Sequence, residues 1–481
     1  MAQFEKKELI KKSADFSGWY QDVVLKSELA DYSPVKGCMV IRPYGYAIWE
    51  NIQLALDRLI KSEGVKNAYF PLFIPESALN KEKEHVAGFA PELAVVTEGG
   101  GEKLKEKLVI RPTSETIMYL MYAKWLQSYR DLPILINQWN NVVRWEKRTY
   151  LFLRTTEFLW QEGHTAHETH EEALALVYKM MDHYAEIYEK HLAIFGCAGL
   201  KSQAEKFAGA SDTLTYEVLT PDGKTLQGCT SHDLGQNFSK VFDIKFLGRD
   251  KATHYPYQTS WGLSTRVIGA LIMAHGDDNG LILPPLIAPI QIIIVPVFNK
   301  NVAAEKLIDL AKELKNKLKD FRVELDLREE DSLGRRINEW ELKGVPLRLE
   351  IGQKEMDEKL YTLARRDNFE KIKISEKDLV KDVADLLNDI QNNLFEKSKK
   401  FSEDHTYQAD TYDDFKKIMK NQRGFISAYW CESSECEGKI KEETKATTRC
   451  LPLKNSEKDE EGKCIYCGKL AKHRWLFGQS Y

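Results

Sequence analysis

The stretch from Val142 to His167, VVRWEKRTYLFLRTTEFLWQEGHTAH, constrains this chain more than any other. It mixes charge with aromatic rings, which neither an apolar core strand nor a solvated face does. Val142 to Glu146 reads as a strand, placing Arg144 and Glu146 on one face. Lys147 to Leu153 reads as a loop with Arg154 at its end, and Thr155 to Gln161 as a second alternating strand. The pair predicts an antiparallel hairpin whose one face presents guanidinium groups. Arginine offers paired donors that match phosphate oxygens, so the hairpin suits a polyphosphate. A surface hairpin with scattered ion pairs is the alternative, and the rest of the chain has to decide.

At 481 residues the chain is long enough for about three domains. Its net charge of −4 gives no global basic field, so a nucleic-acid partner would need local patches. The first thirty residues lack the apolar region of a signal peptide. The longest apolar run, Leu281 to Phe298, is broken by Pro284, Pro285, Pro289 and Pro296. A soluble, cytoplasmic protein without a membrane partner is the expectation.

Before the hairpin, the first segments to Ser27 read as helical or loose. Pro43 opens an amphipathic helix through Ile48, Ile52, Leu56, Leu59 and Ile60. Asn67 to Pro75 reads as a strand, Glu82 to Phe89 as a short helix, and Leu93–Thr97 and Leu108–Ile110 as strands around Gly99–Gly101. Arg111-Pro112-Thr113-Ser114-Glu115 follows at a strand end, before a helix from Thr116 to Tyr129. Thr113 and Glu115 there suit a cationic amine; Thr113 or Ser114 capping the helix, with Glu115 favoured by its dipole, is the alternative. Leu132 to Gln138 reads as a strand leading into the hairpin.

Beyond the hairpin, His167 to Phe195 reads as a long helix and Thr215 to Leu219 as a strand. Leu226 to Phe238 mixes small and hydrogen-bonding residues, with His232 open to a core role as well as a ligand role. Thr259 to Arg266 enters an apolar helix from Val267 to Ala274. Arg266 in its first turn is a second phosphate-gripping feature, or an arginine snorkelling from a buried helix. Past the proline-rich linker, strands and helices alternate from Gln291 to Ile374, predicting a compact α/β domain, and Lys377 to Lys400 reads as a charged helix. Cys431, Cys436, Cys464 and Cys467 form a split tetracysteine set; a structural zinc site is favoured over disulfides, and Cys450 lies outside the pattern.

Together these features resemble a class II aminoacyl-tRNA synthetase over most of the chain. The Pro43 helix looks like motif 1, the Arg144–Glu146 hairpin like motif 2, and Gly262–Arg266 like motif 3. More narrowly, the chain resembles the prolyl-tRNA synthetase family of eukaryotic/archaeal-like type. The strings that carry this are Arg111–Glu115, Phe158–His167, Cys229–Phe238, the tetracysteine segment and the final Phe477–Tyr481. No HIGH-type or KMSKS-type signature of the other synthetase class is present.

The resemblance implies an α+β multidomain protein: an antiparallel-sheet catalytic domain over 1–283, an α/β anticodon-binding domain over 284–398, and a zinc-binding domain over 399–481. It implies a homodimer built around motif 1, with L-proline, ATP and tRNA(Pro) as substrates and no DNA partner. Arg144 is expected at the α-phosphate and carboxylate, and Arg266 at the γ-phosphate, with Mg2+ sharing that load. Glu146 and Thr155 would hold adenine, Arg154 would lie near the triphosphate, and Gln227 and Thr230 would line the nucleotide side. Thr113 and Glu115 would take the proline ammonium; Phe158, Trp160, His164, His232 and Ser264 would wall the ring, and Phe89 would close the cleft. Zn2+ would sit on the four cysteines, and Tyr481 near the active site. Arg335, Arg336, Lys343, Arg348 and Glu350 are tRNA-contact candidates by position, with solvated helix charges equally open. About a hundred residues separate Gln161 from Trp261, too few for a cis editing domain. A synthetase-like protein that binds tRNA without catalysis is the rival reading, and a sibling synthetase for another small amino acid a third.

Overall fold

The computed structural model describes residues 8–79, 93–298, 303–456 and 461–481. Its spine is an eleven-stranded sheet. The central six strands are antiparallel, in the order Gly196–Leu200, Asp212–Leu219, Thr225–Gly235, Tyr257–Ser264, Glu157–His167 and Ile134–Val143. Lys66–Asn67 adds a short parallel strand beside Ile134–Val143. The hairpin is therefore the far side of the sheet, and its strands are longer than the sequence suggests.

One face of the sheet is covered by helices. Pro43–Ser62 begins on its proline and buries Ile48, Ile52, Leu56 and Ile60 at helical spacing. Phe16–Lys26, His170–Glu186 and Arg266–His275 bury their apolar residues in the same core, with Leu263 and Cys229 facing them from the sheet. Alternation then turns Trp160, Glu162 and His164, and Ser260, Gly262 and Ser264, to the opposite face. That face carries the cavity described below.

A separate five-stranded sheet, in the order Val323–Leu325, Ile292–Pro296, Leu347–Ile351, Leu360–Arg365 and Lys371–Ser375, forms the α/β unit. Its first three strands are parallel and the rest antiparallel. The helices Ala304–Lys317 and Leu379–Asp404 cover it with Leu307, Leu314, Val383, Leu387 and Ile390. The C-terminal strands Thr447–Pro452, His473–Gly478, Phe425–Trp430 and Thr406–Gln408 do not make an independent sheet. Thr447–Pro452 pairs with Gly196–Leu200, so they extend the central sheet. Among the described residues no helix is long and apolar enough to cross a membrane.

Several expectations shift. Residues 144–146 lie just past the strand, because pairing closes at Val143 opposite Glu157. Asn67 to Pro75 is two separate strands in different sheets, Lys66–Asn67 and Phe73–Pro75, since Pro71 cannot donate to a ladder. The helix expected to reach Phe195 ends with a π-type turn, Ile187–His191. The helix expected over Glu82–Phe89, and Phe89 itself, lie outside the described residues.

Candidate active site

The site is built on the loop Arg111–Glu115, which the sheet fixes from below. Arg111 is buried; its Nε donates to the Asn141 carbonyl at 2.8 Å and its Nη1 to the Phe70 carbonyl at 2.7 Å. That guanidinium ties the loop to the first hairpin strand. Thr113, Ser114 and Glu115 are consequently buried, and the Thr113 hydroxyl donates to the Glu115 carboxylate. Ser114 precedes the helix Glu115–Trp125 but makes no side-chain cap bond, so the capping alternative does not account for it. Its amide instead donates to Glu162 Oε2 at 3.0 Å, and its hydroxyl donates to the other oxygen of the same carboxylate.

Glu162 is buried and also accepts Asn140 Nδ2 at 2.6 Å, and its Oε2 meets His164 Nε2 at 3.1 Å. Burial would raise its carboxyl, but the His164 ring, Ser114 and Asn140 hold it down at about 2. Burial works against a charged His164, yet Glu115 and Glu162 together raise its pKa above the ordinary value. Across the strands, His164, Ser260, His232 and Thr213 stand in register as one polar row. His232 Nδ1 bonds Thr213 Oγ1 at 2.9 Å, and Phe207 lies on its ring at 4.6 Å between centroids.

Arg144 reaches over this row. Its Nε donates to the Pro112 carbonyl at 3.0 Å, and its guanidinium lies 5.3 Å from the Trp160 ring and 5.5 Å from the Phe158 ring. Arg266 opens the helix Arg266–His275 and donates from Nε to the Leu153 carbonyl at 3.0 Å. Burial, then the nearby Arg144 and Arg154, disfavour its charge, so an anion at this point relieves guanidinium repulsion. Arg154 is partly neutralised by Glu146 at 2.7 Å.

One cavity of about 260 Å3 is lined by Thr113, Glu115, Arg144, Phe158, Trp160, His164, Gln227, Thr230, His232, Ser264 and Arg266. The sequence reading had named all eleven. Glu146, Arg154 and Thr155 line an adjoining recess instead, together with Arg144 and Arg266. A larger cavity of about 780 Å3 continues past Gln227 and Arg266 to Tyr481. Carboxylates at one end and convergent guanidiniums at the other fit an ammonium-bearing ligand and a polyphosphate lying side by side. Glu162, Phe207 and Ser260 also line the cavity and were missed. The period-two pattern through Phe158, Trp160 and His164 already contains Glu162, and a carboxylate on a buried strand face was the available signal.

Elsewhere, the four cysteines meet. Cys431 Sγ lies 3.7 Å from both Cys436 Sγ and Cys467 Sγ, and all four sulfurs fall within 4.8 Å of one another. A tetrahedral zinc with Zn–S of about 2.3 Å requires sulfurs about 3.8 Å apart, so the set fits Zn2+ and not disulfides. The anticodon-side candidates divide. Arg336 is buried on the Asp326 and Pro296 carbonyls, and Arg348 is buried between Glu341 and Glu350, so these charges are spent inside the fold. Lys343 pairs with Glu28 and Glu339, while Arg335 is exposed beside Asp331.

Family models match three segments: the tRNA synthetase class II core domain (G, H, P, S and T) over 97–275, the anticodon-binding domain over 291–386, and the prolyl-tRNA synthetase C-terminal domain over 412–481. The proline–tRNA ligase of Natranaerobius thermophilus is 53% identical over 463 residues, covering 96% of this chain and 95% of that protein. The chain belongs to the prolyl-tRNA synthetase family. Proline–tRNA ligase 2 of Clostridioides difficile is 51% identical over the full length of both chains. The crystal structure of prolyl-tRNA synthetase from Cryptosporidium parvum, complexed with halofuginone and AMPPNP, superposes with a TM-score of 0.95 at 44% identity, covering 99% of this chain and 100% of that one. The family's enzymes join proline to tRNA, and ATP is a substrate of class II synthetases. The central antiparallel sheet, the α/β unit and the C-terminal unit are thus the synthetase core, the anticodon-binding domain and the family's own C-terminal domain.

Proposed function

We propose that this chain activates L-proline with ATP to prolyl-adenylate and then transfers the prolyl group to the 3′ end of tRNA(Pro). The observation that carries this is the single cavity that joins Thr113 and Glu115 to Arg144 and Arg266. The proline ammonium donates to Glu115 and Thr113, and its ring packs between Phe158, Trp160, His164, His232 and Ser264. The carboxylate is already an anionic nucleophile, so no general base is required. One of its oxygens attacks the α-phosphorus while the bond to the bridging oxygen breaks, and pyrophosphate leaves with that electron pair. Arg144 neutralises the carboxylate and α-phosphate as they approach, and Arg266 holds the γ-phosphate in line. Glu146 and the backbone near Thr155 hold adenine, Arg154 lies beside the triphosphate, and Gln227 and Thr230 flank the nucleotide. Mg2+, when bound, would share the triphosphate charge.

Zn2+ on Cys431, Cys436, Cys464 and Cys467 would be structural, because four protein ligands leave no open coordination position. The domains are proposed to run over 1–283, 284–398 and 399–481. A homodimer through the motif 1 region and tRNA contacts on the anticodon domain, among them Arg335, complete the reading. We propose that there is no cis editing domain: the interval between Gln161 and Trp261 is only about a hundred residues, and its described elements are central-sheet strands, helices and one short two-stranded sheet, Phe246–Leu247 with Thr253–His254. Proline-dependent ATP–pyrophosphate exchange tests the whole. Folded protein that shows no exchange with proline would sink it and favour a tRNA-binding protein without catalysis.

A further inference from the structure

Glu115 has a competitor. The side-chain ligand atoms of Glu115, Glu162 and His164 lie within 4.8 Å of one another, and all three residues are buried. A charged imidazole that close to Glu115 would pair with it and occupy the acceptor that an incoming ammonium needs. Instead His164 Nε2 is taken by Glu162 Oε2 at 3.1 Å, while Nδ1 meets Tyr119 Oη at 3.3 Å. The same Glu162 carboxylate holds Ser114 through its amide and hydroxyl, and so sets where the next residue, Glu115, begins its helix. Asn140 Nδ2 at 2.6 Å and Gln138 Nε2 at 3.4 Å complete its shell from the neighbouring strand.

We propose that Glu162 is a positioning residue for the amino-acid substrate: it sequesters His164 and orients the Ser114–Glu115 turn, so that Glu115, held by the Thr113 hydroxyl, is not paired with the imidazole and can take one ammonium. This rests on the proline-activating reading above. Glu162 lines the cavity, but its carboxylate oxygens are taken by Ser114, Asn140 and His164, so it acts through His164 and Ser114. The charged or titratable groups around His164 are Glu115 and Tyr119 from the loop and helix, Glu162 on its own strand, and His232 and Arg111 further out.

Glu162→Gln keeps the size and removes the charge. Loss of charge-assisted bonds predicts a proline KM raised by about 10- to 100-fold with the ATP KM nearly unchanged. The ring nitrogens of His164, followed by 15N NMR, would titrate above the ordinary value of 6.5 in the unaltered protein and at lower pH in the variant. A proline KM unmoved in Glu162→Gln overturns the proposal, as does His164 titrating below 6.5 in the unaltered protein, a measurement that stands even if the variant fails to fold. Absence of proline-dependent exchange in the unaltered protein is a different failure, that of the function itself.

Discussion

At the scale of the residue, the site is a problem of where charge is left unspent. Arg144 and Arg266 each donate Nε to a carbonyl, of Pro112 and Leu153, and this anchors both guanidiniums at the wall of one cavity. Replacing Arg266 by Ala should lower the exchange rate by about 10²- to 10³-fold, the usual cost of one oxyanion donor. Arg144→Ala should cost at least as much, since Arg144 also pins the Pro112 carbonyl. Steady-state exchange with folding checked by circular dichroism is the measurement. Buried histidines make a separate prediction. Burial lowers His167 and His275 to about 4. Their folded pKa values fall below the unfolded value of 6.5, so the unfolded chain binds more protons between these limits. Stability present above pH 6.5 is therefore lost as pH falls toward 4, by up to about 3 kcal/mol for each group. The melting midpoint should drop across that window, and His275→Gln should shallow the drop. The residues that line the cavity were legible mainly through the family resemblance carried by Arg111–Glu115, Phe158–His167 and Cys229–Phe238. For Glu162 the strand pattern gave the face but not the partners, because Ser114 and Asn140 come from elsewhere in the chain.

At the scale of the element, the hairpin was legible as an antiparallel pair, but its limits were not. Strand residues from Ile134 onward and through His167 read as ordinary apolar or polar neighbours, and only cross-strand pairing shows how far the ladder runs. The same pairing explains Gly163. A Cβ there would come within 2.1 to 2.3 Å of the Trp261 ring, which packs in the core on the face of the sheet behind the cavity. Gly163→Ala should destabilise by about 1–3 kcal/mol as an overpacking change and weaken proline binding more than ATP binding. Thermal melting and the two KM values separate these effects; an unshifted melting midpoint would contradict the packing claim. The α/β unit was legible almost strand by strand, because its central strand Ile292–Pro296 is a continuous apolar run and strands and helices alternate around it. The internal burial of Arg336 and Arg348 was hidden, since a charged residue on a strand or helix looks the same before its partners are known.

At the scale of the molecule, contacts far apart in sequence join the units. Arg366 is buried and holds Asp277 through two bonds, at 2.9 and 2.5 Å, just beyond the helix that starts at Arg266. Arg366→Ala removes both of these bonds from Asp277, which is about a third exposed and keeps the Asn279 amide, and should cost about 1–3 kcal/mol. A single melting transition splitting into two would show the anticodon-binding domain released. Stripping zinc, or Cys436→Ser, should lower the melting midpoint and leave exchange unchanged in protein that remains folded. Loss of exchange in a fully stable Cys436 variant would contradict a structural role. The tetracysteine set was legible from spacing, whereas its attachment was not: nothing local tells Leu451 to pair with Leu200.

That pairing has a consequence for how the chain is made. Gly196–Leu200 leaves the ribosome long before Thr447–Pro452, and until then it is an edge strand with open amides and carbonyls, able to recruit any extended segment of another chain. The C-terminal unit is thus a stopper for the central sheet as well as the holder of the four-cysteine cluster. A fragment ending before Thr406 should be found in aggregates that charged or proline substitutions along Gly196–Leu200 reduce.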